Sequence, residues 1–129
     1  VRHLIDTHAL IWFADQDQLL GVAARAIMTD PANELLLSAA TIWEIAIKVS
    51  LNKLSLSLPF REWMEKAIVD LRLIVLPVSV HAAETLIALP NHHRDPFDRL
   101  LVAQAIVEDV PLVSLDGVFD RYGIRRIWK

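Results

Sequence analysis

The chain has 129 residues, 54% of them hydrophobic, a formal net charge of −3 and no cysteine. A length of this order suits one domain with a substantial core, and the lack of cysteine excludes disulfides, thiolate metal sites and cysteine nucleophiles, so any metal must be held by oxygen or imidazole. No apolar run approaches the roughly 18 residues of a membrane span, and the first residues lack the basic start and cleavage site of a secretory leader, so the expected picture is a single cytoplasmic domain over 1–129.

His3 to Ile5 reads as a short apolar strand ending at Asp6, followed by a helix over Ala9 to Ala14 and a second over Leu20 to Met28. A buried strand, Leu35 to Leu37, then runs into a helix from about Ala39, with Ser38 placed to cap it. After Pro59, the apolar residues Phe60, Trp63, Met64, Ala67, Ile68 and Leu71 repeat at helical spacing and predict an amphipathic helix packed on the core. Leu73 to Leu76 predicts a third strand, Val80 to Leu89 a helix, Pro90 to Asp95 a polar connection and Phe97 to Val107 a further helix. Leu112 to Ser114 is a fourth strand and Ile124 to Trp128 a candidate edge strand. Short apolar strands alternating with helices imply an α/β fold, a mostly parallel sheet of four to five strands covered by helices.

In such sheets ligands bind beyond the carboxyl ends of the strands, where loops meet helix starts. Asp6 follows the first strand directly and Asp116 follows the fourth. Each also has an ordinary structural explanation: Asp6 as an N-cap, and Asp116 in an Asp-Gly turn. Asp98 stands in the first turn of a helix that Asp95 would cap and Pro96 would begin, so dipole stabilisation alone could account for it. Glu44 is less easily explained, because its neighbours Ile42, Trp43, Ile45, Ala46 and Ile47 make that helix apolar nearly all round. A pair with Lys48 or a capping box with Thr41 is the conventional reading; a surface pair contributes only about 0.3 to 0.5 kcal/mol, too little for a buried acid. Four acids gathered at one sheet edge need protonation or a divalent cation, and ligation without sulfur favours Mg²⁺ or Mn²⁺.

The segments IDTHALIW, SAATIWEIAIK, HRDPFDRLLVAQA and LVSLDGVFDRYG, in this order and spacing, closely resemble PIN-domain ribonucleases, specifically the VapC-like toxins of bacterial type II toxin–antitoxin pairs. The resemblance covers almost the whole chain. It implies a PIN-like fold, a Mg²⁺- or Mn²⁺-dependent endoribonuclease that hydrolyses RNA phosphodiesters with water, and an acidic site on Asp6, Glu44, Asp98 and Asp116. Asp6 and Asp98 would chiefly hold the metal, with Glu44 and Asp116 completing or orienting the site. Thr7, Asp95 and Ser114 would support it, Ser114 standing where threonine is more usual with the hydroxyl kept. A cognate antitoxin and a homodimer are the implied partners, and Trp12, Trp43, Trp63 and Trp128 suggest apolar surface beyond what one domain needs.

Net charge argues against nucleic acid at first sight. Sequestering four acids around a cation, however, would leave a slightly basic remainder, with Arg94, Arg99, Arg121, Arg125, Arg126 and Lys129 all in the last third. Arg94 and Arg99 are the candidate phosphate contacts, with solvated surface charge as the more ordinary reading of both. His3, His8, His81, His92 and His93 are expected to be structural or surface groups, since no pair has a zinc-site spacing. Three rivals are weaker. An aspartate-nucleophile phosphatase wants an acid where His8 stands, a receiver-like signalling domain wants adjacent acids after the first strand and an Asp near Pro77, and a non-catalytic PIN-like binding module has no need of all four acids.

Overall fold

The computed structural model describes residues 1–129. Five strands, β1 (Arg2–Ile5), β2 (Glu34–Ser38), β3 (Ile74–Leu76), β4 (Leu112–Val113) and β5 (Arg126–Ile127), form one sheet in the order β3-β2-β1-β4-β5. Every pair is parallel. The helices are α1 (Thr7–Ala14), α2 (Val22–Thr29), α3 (Ala39–Ser50), α4 (Phe60–Asp70), α5 (Val80–Ile87) and α6 (Pro96–Glu108), with a 3₁₀ helix over Gly117–Tyr122.

The strands are short because each supplies only one or two residues per face, and the register aligns them. Leu36, Leu4 and Leu112 stand side by side in neighbouring strands, as do Leu37, Ile5 and Val113. Successive side chains on a strand face opposite ways. The first row accordingly joins Leu101, Val102, Ala105 and Phe119 in one apolar cluster, and the second joins residues of α1, α2, α3 and α4 in the other. Full burial of each such side chain contributes about 1.5 to 3 kcal/mol, which makes the sheet the rigid base of the fold. Trp63, Met64, Ala67 and Leu71 are buried in the larger cluster with Phe60 and Ile68 against it, so the predicted stripe on α4 is core packing.

Helix starts follow capping chemistry. Ser38 accepts from the Ala40 N–H, Ser79 from the Ala82 N–H, and Asp6 from the Ala9 N–H, which starts α1 at Thr7, two residues before its apolar face begins. The tryptophans divide: Trp63 and Trp128 are buried and Trp12 packs against the core, while Trp43 is 64% exposed. Of the four tryptophans, Trp43 alone is exposed. No helix is long and apolar enough to cross a membrane.

Candidate active site

The strand order reverses direction between β1 and β4, and chains leaving those two strands open a crevice at the carboxyl edge. Asp6 leaves β1 there, and Ser114 and Asp116 follow β4. Helices α3 and α6 deliver Glu44 and Asp98 to the same place. A small cavity of about 90 Å³ is lined by Asp6, Thr7, His8, Glu44, Lys48, Asp95, Asp98, Asp116 and Phe119. All four predicted acids thus meet in one pocket with two of the three predicted supporting residues.

Each carboxylate is held by donors that its own segment provides. Asp6 is buried; its Oδ1 accepts from the Ala9 N–H at 2.8 Å, and the Ser114 hydroxyl bonds to it as well. That hydroxyl also accepts from the Asp116 N–H at 3.1 Å, so Ser114 ties the two strand-end acids together. Glu44, only 5% exposed, accepts at Oε1 from the Thr7 hydroxyl at 2.6 Å and at Oε2 from the Lys48 ammonium at 2.8 Å. The i,i+4 pair with Lys48 is present, and Glu44 also lines the acidic pocket. Asp95 caps α6 by accepting from the N–H groups of Phe97, at 2.8 Å, and Asp98. Capping and site formation are therefore one arrangement, since the cap fixes the turn from which Asp98 projects.

His93 departs from its expected role as a structural or surface group. Its Nε2 lies 2.8 Å from Asp116 Oδ2 and 3.1 Å from Asp98 Oδ2. The Tyr122 hydroxyl accepts from the His92 and His93 N–H groups at 3.1 and 2.8 Å, and the imidazole lies against the buried Phe119 ring. The Asp95 N–H donates to His93 Nδ1 at 3.4 Å. Nε2 therefore lies within hydrogen-bond reach of both acids and links Asp98 to Asp116. The sequence signal for this was slight: a histidine two residues before an Asp-Pro helix start.

Arg99 also departs from expectation. Its guanidinium donates to the Pro90 and Leu86 carbonyls at 3.0 and 3.2 Å, tying the end of α5 to the start of α6, whereas Arg94 is exposed. Farther round, Arg126 is engaged by Asp120 and by the Ser114 and Leu115 carbonyls.

The electrostatics follow from crowding. Burial pushes Asp6 above its ordinary range, against the pull of its Ser114 and Ala9 bonds. Asp98 is pushed up to about 7, first by burial and then by the neighbouring Asp95 charge, with His93 opposing and Glu44 and Asp6 adding to the shift. For Asp116 burial acts upward too, but the Val118 N–H, His93 and Arg126 together hold it below its ordinary value. Such a pocket at neutral pH either keeps a proton or takes up a cation. The donor set fits a hard divalent ion. Glu44 and Asp116 have both oxygens engaged by protein donors, while Asp98 uses Oδ2 on His93 and keeps Oδ1, and Asp6 has only the Ser114 hydroxyl beside its capping bond. His93, Asp98 and Asp116 also offer ligand atoms within 4.8 Å of one another.

Comparison with known proteins matches these observations. The PIN domain profile matches residues 3–125. The chain is 32% identical over 114 residues to ribonuclease VapC22 of Mycobacterium tuberculosis, covering 88% of this chain and 85% of that protein. In fold it resembles a chain of VapBC2 from Rickettsia felis bound to a promoter DNA fragment, with a TM-score of 0.73 at 16% identity and all of both chains covered. It also resembles Mycobacterium tuberculosis VapC20, a toxin that cleaves the sarcin-ricin loop, with a TM-score of 0.68 at 14% identity over 98% of this chain and 99% of that one. The chain belongs to the PIN-domain family, among its VapC-like members.

Proposed function

We propose that the chain is an endoribonuclease that hydrolyses RNA phosphodiesters with Mg²⁺ or Mn²⁺, and that it acts in the cytoplasm, as one domain over 1–129, as the toxin of a toxin–antitoxin pair. The observation that carries this reading is the gathering of Asp6, Glu44, Asp98 and Asp116 around one cavity at the carboxyl edge of the sheet. Similarity to a protein named as a ribonuclease supports the activity, and similarity in fold to VapBC complexes supports the antitoxin partner.

In this reading Asp6 and Asp98 hold the ion through their less engaged oxygens, and Glu44 and Asp116 set the charge and shape of the pocket around them. A divalent ion in this position supplies Lewis-acid polarisation of the phosphate and makes water a stronger nucleophile at neutral pH. The protein side of the reaction is preorganisation. Ser114 and the Ala9 N–H aim Asp6, Asp95 fixes the helix turn under Asp98, and Thr7 and Lys48 fix the orientation of the buried Glu44 side chain. Arg94, exposed beside Asp95, contacts RNA phosphate, while Arg99 braces the loop that carries it.

A homodimer is part of the reading. Trp43, Ile47, Leu86, Phe97 and Leu100 line an apolar groove of about 670 Å³, with Trp43 and Phe97 in edge contact at 5.7 Å. Exposed apolar surface of this kind is characteristic of association. The test of the activity is to sequence the RNA ends left by nuclease-free protein with Mn²⁺. Discrete internal cuts that depend on the ion are expected; RNA left intact at all concentrations, or trimmed only from its ends, contradicts an endoribonuclease.

A further inference from the structure

The acids of the pocket, Thr7 and Lys48 are each engaged by another protein group. His8 is the exception among the polar residues that line the cavity. It is exposed, and its contact is with an aromatic ring: the imidazole and the Trp12 indole have centroids 5.4 Å apart and planes inclined at 42°.

The helix places that ring. Thr7, Ala9, Leu10 and Ile11 are buried, so His8 takes the solvent side of the first turn of α1, and Trp12, four residues on, follows it on the same face. Trp12 packs against the larger core cluster and meets the buried Trp128 edge-on at 5.6 Å. The imidazole is therefore backed by a ring that is itself anchored, and it forms a preset flat surface at the mouth of the acidic pocket. Core packing does not call for it, because α1 buries its apolar side through Ala9, Leu10 and Ile11.

The charges around the cavity favour a contact of this kind. Lys48 is committed to Glu44, Arg99 to the Pro90 and Leu86 carbonyls, and Arg126 to Asp120. These cations have little to offer a phosphate close to four carboxylates. An uncharged base feels no such repulsion, and stacking on an aromatic side chain raises affinity by about five- to a hundredfold per base.

We infer that His8 is a substrate contact whose ring stacks on an unpaired base of a nucleotide adjoining the scissile phosphate. The inference rests on the ribonuclease reading above. Stacking requires a base turned out of any helix, so the site takes single-stranded or looped RNA, with a sequence preference set by stacking strength and not by hydrogen bonds.

The test uses an RNA whose internal cut has been mapped with Mn²⁺, together with versions carrying an abasic ribonucleotide immediately 5′ or 3′ of that cut. His8→Ala is expected to raise KM about five- to a hundredfold on the intact RNA, with kcat within about twofold of wild type and the melt unchanged. His8→Phe should restore KM; His8→Leu, which covers Trp12 but has no π-face, should not. On one of the abasic RNAs, wild type and His8→Ala should share the same KM, because the base that distinguishes them is gone. An unaltered KM in His8→Ala, a KM restored by His8→Leu, or a difference that persists on both abasic RNAs each overturns the inference. RNA left uncut by wild type would refute the ribonuclease reading and the inference with it, whereas RNA cut equally well by wild type and His8→Ala would refute the inference only.

Discussion

Replacing Asp98 by asparagine distinguishes an acid that merely favours a helix start from one that belongs to a cation site. As a first-turn carboxylate near the helix dipole it would contribute about 0.3 to 1 kcal/mol, lost in the variant whether or not metal is present. The pocket implies the opposite sign. A carboxyl pushed from 3.8 up to about 7 is ionised at a cost of at most about 4 kcal/mol, which solvent screening at this partly exposed group reduces to about 1 to 2 kcal/mol. Metal-free Asp98→Asn should therefore melt at or above the wild-type temperature at pH 8. Metal reverses the order. A ligand at a hundred times its dissociation constant stabilises the folded state by about 2.7 kcal/mol, roughly 10 °C for a chain of this size, and most of that response should vanish in the variant. Asp95→Ala is the control: losing the cap on α6 should lower stability by about 0.5 to 2 kcal/mol with or without ion. Thermal melts of the three proteins with EDTA and with saturating Mn²⁺ provide the comparison. A destabilised Asp98→Asn that keeps the full Mn²⁺ response would refute the argument for Asp98 as a ligand.

The raised Asp98 also sets a pH dependence. The folded state holds that proton more tightly than the unfolded state, so metal-free stability should fall as pH rises from about 4 to about 7 and then level off, a slope that Asp98→Asn flattens; denaturation midpoints in EDTA across that range would check it. Gly21→Ala should destabilise the chain by about 2 to 4 kcal/mol, because its Cβ would lie 2.0 Å from the Trp128 carbonyl oxygen, where the chain entering α2 crosses the C-terminal strand; a urea titration measures this, and a loss below the error of the fit contradicts it. Trp43→Asp should convert a dimer to a monomer in light scattering at micromolar concentration without changing the melt of the monomer; a dimer that persists would place the contact elsewhere.

The fold was legible where local chemistry and tertiary demand agree. The apolar runs at residues 3–5, 35–37 and 112–113 are strands because both sheet faces are covered, and Ser38 and Asp95 start helices by capping. Boundaries shifted by one to two residues at several elements, and one short element was missed; two of these differences have an identifiable reason. Helix α1 begins at Thr7 because the Asp6 cap, not the first apolar residue, determines where helical hydrogen bonding can start. The 3₁₀ turn after Asp116 went unseen because its Gly117–Tyr122 span has no helical periodicity long enough to register.

Asp6, Asp98 and Asp116 were legible because each follows a strand or opens a helix on the same edge, and Glu44 because it is an acid in a helix that is apolar nearly all round. His93 was not, since its role depends on Tyr122 and Phe119, which come from a different segment and meet it only in the folded chain. Arg99 misled for the converse reason: a surface arginine beside acids reads as a phosphate contact until the carbonyls it serves are in view.

The most direct test of the account is RNA cleavage by wild-type protein and Asp6→Asn, each in Mn²⁺ and in EDTA, with circular dichroism to establish that both are folded. Wild type should cleave only with the ion. Asp6→Asn should lose at least about a thousandfold in rate, equivalent to about 4 kcal/mol of transition-state stabilisation, while keeping its fold. Undiminished cleavage in EDTA, or by Asp6→Asn in Mn²⁺, would contradict the claim that this carboxylate pocket and its ion carry the reaction.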